Sequence, residues 1–145
     1  MPSGALYRTV YMSTAIGVLR AEELDRIYLR AKAANSGAGI TGLMLFYEGV
    51  FLQVLEGPAA GVTSLLEKIR RDRRHANLVV LESGLVEERS FAQTPMHFIA
   101  ARNLSAGEKQ ALSELRQAVA ARPGALLAGL GLSDFLAAFV AAKPA

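Results

Sequence analysis

The segment order along the chain predicts an α+β domain of ferredoxin-like fold, a mixed sheet with two helices on one face and C-terminal helices on the other. Three observations carry this expectation. Hydrophobic spacing reads as strand, helix, strand, strand, helix, strand, followed by a further strand and then helices. The first strand has residues on both faces that need cover. Finally, 145 residues at 52% hydrophobic and 20% charged suffice for one core and argue against disorder. The domain is expected to hold a core over residues 1–101 and a helical extension over 102–145, in one compact unit.

The first strand is expected over 6–13, with Tyr7, Thr9, Tyr11 and Ser13 on one face and Leu6, Val10 and Met12 on the other. A helix over about 21–34 places Leu24, Ile27, Tyr28 and Ala31 in a core stripe and turns Glu22, Glu23, Arg26 and Arg30 elsewhere. Asn35 lies eleven positions after Leu24, about three turns, and so continues that stripe. Residues 39–47 form an apolar arm, and Glu48-Gly49 turn the chain into a second arm containing Phe51, Gln53 and Leu55 on one face. Gly57-Pro58 end that arm, and Val62, Leu65, Leu66 and Ile69 mark the second helix, with Lys68 on its flank. Further strands are expected over 78–86 and 96–100. Ser105 and Glu108 have capping-box spacing, Leu112, Leu115 and Val119 follow at helical intervals, and Arg122-Pro-Gly124 ends that helix. A last short helix is expected from Ser133-Asp134. These helices either fold back on the sheet or dock on a partner.

Composition narrows the chemistry. The absence of cysteine excludes disulfides and thiolate sites, and two histidines, His75 and His97, disfavour a histidine-rich metal centre. The amino terminus lacks signal-peptide character and no apolar run reaches about 18 residues, so a cytoplasmic protein without membrane association is expected. The net charge of +3 is concentrated in Lys68-Ile-Arg-Arg-Asp-Arg-Arg-His75, which reads as a solvated helix end more readily than as a phosphate-facing patch. Neither histidine is tied by motif to a serine and no standard phosphate-binding glycine loop occurs, which disfavours hydrolysis.

One constellation remains. Gln53 is a polar residue in a segment that otherwise reads as buried, and a buried amide must be hydrogen-bonded. Tyr11, Asn35 and Lys68 point into the same layer between sheet and helices. Singly, each has a bland explanation: a core tyrosine, a helix C-cap, a bridge to backbone, a snorkelling lysine. Together they suggest a pocket for a flat molecule with polar edges.

These residues resemble the BLUF domains, which sense blue light using flavin. The likeness spans about residues 6–99. It runs through Tyr11 in Val-Tyr-Met-Ser, Asn35, Gly39-Ile-Thr-Gly42, Phe51-Leu-Gln-Val-Leu-Glu-Gly57, Arg71-Asp-Arg-Arg-His75, and Arg89-Ser-Phe91 followed by Met96. The C-terminal helices fit the short members, which carry no fused output enzyme. The resemblance implies a non-covalent flavin, FAD first and FMN or riboflavin as alternatives, between the two helices. Asn35 would bond one polar edge of the ring, and Lys68 would lie near the opposite edge or the ribityl chain. Ile40 and Ile69 would pack on or beside the ring, with Arg74 and His75 also at the site. Tyr11 would bond Gln53, and Gln53 the flavin. In the implied photochemistry Tyr11 gives an electron, and then by way of Gln53 a proton, after which the glutamine has rotated or tautomerised and absorption shifts to the red. The signal would leave through the strand containing Met96, towards the C-terminal helices or a downstream protein.

Two departures from the family pattern stand out. Thr94 replaces a tryptophan common in relatives, and the chain has no tryptophan at all. That arrangement would leave Tyr11 as the dominant electron donor. Ala34 stands where relatives often place a polar flavin neighbour. The resemblance implies a sensor rather than an enzyme, forming a homo-oligomer and acting on a protein rather than on nucleic acid. The alternative is a light-inert ferredoxin-like adaptor, disfavoured because an adaptor needs no tyrosine aimed at a buried amide.

Overall fold

The computed structural model describes residues 5–47, 49–89, 97–99 and 105–121. The chain divides into two compact units, Met1–Ala100 and Ala101–Ala145. The first contains β1 (Leu6–Ala15), α1 (Ala21–Ala38), β2 (Thr41–Tyr47), β3 (Val50–Pro58), α2 (Ala59–Arg70), β4 (His75–Val86) and β5 (His97–Ile99). The sheet order is β4-β1-β3-β2-β5. All neighbours are antiparallel except β2 and β5, which makes the sheet mixed. Helix α1 links β1 and β2, which have β3 between them, and α2 links β3 and β4, which have β1 between them. This interleaving of two split βαβ units is the ferredoxin-like arrangement expected from the segment order.

Side-chain alternation sorts the sheet into two faces as expected. Tyr11, Met44, Phe51 and Leu55 enter a core with Ile40 and Val62, against which Leu24, Ile27, Tyr28 and Ala31 of α1 and Leu65, Leu66 and Ile69 of α2 pack. The opposite face carries Val10, Leu43, Leu45, Leu52 and Val54, each with no exposed surface.

Three boundaries differ from the sequence expectation. Helix α1 runs past Asn35 to Ala38 and ends at Gly39, whose φ of 70° lies in the left-handed region that glycine enters without strain. Asn35 therefore sits inside the last turn instead of ending the helix. Strand β1 continues to Ala15 and β4 starts at His75, because Thr14 and Ala15 pair with Ala76 and His75 beyond a register shift. Asn77, at φ 56°, occupies that irregular stretch, and asparagine tolerates this conformation better than most residues. The shift adds a polar strand start that apolar patterning does not reveal. Gly42 has a different necessity: a Cβ there would stand 1.9 Å from the Val54 carbonyl oxygen.

In the second unit, α3 (Ala106–Ala121) begins with the expected capping box. The Glu108 N–H donates to Ser105 Oγ at 3.0 Å, and the Ser105 N–H donates to Glu108 Oε1 at 2.8 Å. Thr94, Met96, Arg122-Pro-Gly124 and the helix expected from Ser133 lie outside the described residues. Among the described residues no helix is long and apolar enough to cross a membrane.

Candidate functional site

A cavity of about 190 Å³ opens between α1, α2 and the sheet. The sheet supplies its floor through Tyr11 and Ser13 of β1, Met44 of β2 and Phe51 and Gln53 of β3. This floor follows from register: Tyr11 faces Gln53 across β1 and β3, and Gln53 faces Met44 across β3 and β2. Residues directly opposite in neighbouring strands share a face, so one rung of the sheet delivers all three side chains to the helices. Ile27, Ala31 and Ala34 of α1 line one wall, and Leu65 and Ile69 of α2 the other.

Tyr11 and Gln53 are both 3% exposed, and the Tyr11 hydroxyl donates to Gln53 Oε1. With its oxygen end taken by the phenol, the amide presents its two N–H donors at the other end. Burial pushes the Tyr11 phenol well above its ordinary value of 10.0, and the negative charge of Asp72 adds to the shift. The tyrosine is therefore held as a neutral donor. Asp72 lies at the cavity edge, with Arg74 Nε 2.9 Å from its Oδ1 and the Arg74 backbone N–H at the same distance. The Arg74 side-chain bond holds the Asp72 carboxyl below its usual range, and the carboxylate in turn raises the guanidinium.

Of the residues singled out from the sequence, Tyr11, Asn35, Gln53, Lys68, Ile69, Arg74 and His75 line this one cavity, and so does Ala34. Asn35 has no exposed surface. Ile40 is placed differently: it is 1% exposed in the core and absent from the lining. It packs over Gly57, where the missing side chain leaves it room: a Cβ there would come within 3.0 Å of Ile40.

Other lining residues were not anticipated as site residues. Arg30, turned outward in the sequence reading, borders the cavity one turn before Ala34 on α1. Ser13 could have been found by alternation, since it shares the face of Tyr11. Its buried Oγ has no hydrogen-bond partner among the described residues. His75 Nε2 lies 2.8 Å from the Ile69 carbonyl oxygen, which only accepts, so Nε2 carries a hydrogen and donates it. The His75 Nδ1 is also buried without a partner among the described residues.

The apolar walls, the amide donors and the two unsatisfied buried polar atoms suit a planar heterocycle with polar edges. The residues present fit a flavin ring by that test. Among the described residues, no cluster of three or more acidic or histidine side chains could hold a metal ion.

Comparison with known proteins converges on one family. The profile of BLUF, sensors of blue-light using FAD, matches residues 6–97. The photoactivated adenylate cyclase subunit alpha of Euglena gracilis is 38% identical over 88 residues, covering 61% of this chain and 9% of that protein. The chain thus spans about a tenth of the length of the curated relatives it matches. A bacterial light-regulated adenylyl cyclase superposes with a TM-score of 0.70 at 33% identity, over 79% of this chain and 34% of the other. BlsA in its photo-activated state superposes with a TM-score of 0.78 at 25% identity, over 97% of this chain and 98% of the other.

Proposed function

The chain belongs to the BLUF family of flavin-binding blue-light sensors, and from that premise we propose that Tyr11 and Gln53 form its photochemical pair and that it signals by protein contact rather than by catalysis. When bound, the flavin supplies blue-light absorption and an excited state that takes an electron from a nearby donor. Asn35, Gln53 and Lys68 would hold its polar parts, and Ile69 would pack against it, because all four line the cavity. Arg74 and His75 complete the α2 end of the site.

The observation that carries the reading is the bond from the Tyr11 hydroxyl to Gln53 Oε1 inside this cavity. Once Tyr11 has lost an electron its phenolic proton becomes strongly acidic, and Gln53 Oε1 already accepts along that O–H. The Asp72 carboxylate favours positive charge in its vicinity and so supports the electron loss. A proton gained on Oε1, balanced by one given up from Nε2, would make the glutamine its neutral imidic-acid tautomer; rotation of the side chain exchanges its oxygen and nitrogen ends. Either change alters which groups Gln53 can donate to, and neighbours in a low-dielectric site must re-pair.

The output we assign is contact with a downstream protein. It is supported by the similarity to light-regulated cyclases, in which a sensor of this kind belongs to a longer protein. An absorption spectrum of flavin-loaded protein before and after blue light tests the reading. A reversible red shift is expected, and an unchanged spectrum would refute it.

A further inference from the structure

Three residues after the last residue of β4, Arg89 reaches into the ends of three other elements. Its Nη1 donates to Thr41 Oγ1 at 2.9 Å and to the Glu56 carbonyl at 3.1 Å, and its Nη2 donates to the Gly39 carbonyl at 2.8 Å. Gly39 caps α1, a helix with no basic residue in its last turn, so Arg89 brings a cation to that helix end from a distant part of the chain. Thr41 opens β2, and Glu56 lies three residues past Gln53 on β3.

Glu56 is gripped twice. Its carboxylate has no exposed surface and meets Arg8 Nη2 of β1 at 2.8 Å, while its carbonyl accepts from Arg89. Arg8, Glu56 and Thr41 occupy one rung across β1, β3 and β2. The ion pair pins the Glu56 side chain, so a displacement of β3 that starts at Gln53 is passed on through the main chain, where Arg89 holds it. Arg89 also holds Thr41, two residues before Leu43 pairs with His97 at the start of β5.

Resting on the photosensor reading above, we propose that Arg89 is a positioning residue that couples rearrangement at Gln53 to β5, by tying the β3 main chain to the start of β2. A guanidinium suits this task because it is always charged and bonds several acceptors in a fixed plane. A merely structural tie would stabilise light and dark states alike. A coupling tie makes the response of β5 to light depend on Arg89.

The test is amide hydrogen exchange of the flavin-loaded full chain, in the dark and under blue light, for wild type, Arg89→Gln, Arg89→Lys and Thr41→Val. In the wild type, exchange at residues 97–99 should differ between light and dark. In Arg89→Gln the red shift should persist while that difference falls roughly threefold to tenfold, the range expected for losing charge-assisted bonds. Arg89→Lys should fall between the two, and Thr41→Val, which removes one acceptor and spares Arg89, should lose less. An undiminished difference in Arg89→Gln, or in Thr41→Val should the first variant not fold, overturns the proposal. So does loss of the red shift in folded Arg89→Gln, or a wild type that shifts its spectrum without any light-dependent exchange at β5. A wild type with no red shift would overturn the photosensor reading itself, which keeps the two failures distinct.

Discussion

Two rungs of the same three strands, three residues apart, hold contrasting polar pairs. One is Tyr11, Gln53 and Met44; the other is Arg8, Glu56 and Thr41. An offset of three residues inverts the face of a strand, so the first rung faces the cavity beneath the helices and the second faces away from it. The first pair is neutral, and each partner can both donate and accept. The second is an ion pair in which arginine only donates and the carboxylate only accepts. A phenol and an amide can be re-paired by reversing the amide, whereas a guanidinium and a carboxylate have one arrangement. A switch and its anchor can therefore share strands: exchangeable hydrogen bonds permit two states, and fixed charge complementarity permits one.

The largest expected effect comes from removing the exchangeable rung. Gln53→Leu keeps bulk but deletes both ends of the amide, and the reversible red shift should disappear while flavin remains bound. A normal shift in this variant, measured by light-minus-dark absorption, would place the switch elsewhere.

Breaking the fixed rung should cost stability and leave the spectrum intact. Arg8→Ala strands a buried carboxylate, with an expected loss of about 3 kcal/mol, at the low end for a buried pair because the Arg8 side chain is 21% exposed. Replacing both partners, as Arg8→Met with Glu56→Leu, should recover most of that loss. Urea unfolding of the three proteins checks this; a double variant no more stable than Arg8→Ala would mean the pair does more than neutralise itself.

A smaller effect separates the rungs by pH. The Tyr11 phenol is raised in the folded state above its ordinary 10.0, so its contribution is fully present below pH 10 and is lost as pH rises towards the folded value. At pH 11 the wild type should have lost roughly 1 kcal/mol more than Tyr11→Phe, relative to neutral pH. Urea midpoints for both proteins at pH 8 and pH 11 measure the difference, and equal losses would show that the Tyr11 environment does not oppose ionisation.

Much of this site was legible before the chain was folded. Alternation placed Tyr11 and Gln53 on faces that meet, and helical spacing carried Asn35 onto the core stripe of α1. These are local rules with periods of about two and 3.6 residues. Other features lay outside those rules. Arg30 lies just outside the stripe yet borders the cavity. Ile40, a flavin neighbour only by the family resemblance, packs over Gly57 in the core, and α1 runs past Asn35 to the left-handed cap at Gly39.

The residue order alone was enough for the succession of elements, the face each side chain takes and the meeting of a tyrosine with a buried amide. It carried no sign of what Arg89 holds. Its acceptors lie 48, 33 and 50 residues away, on three elements that come together only when the sheet closes. Periodicity reports how neighbours along the chain share a surface, while a clamp across strand ends depends on register and closure, which only the assembled sheet decides.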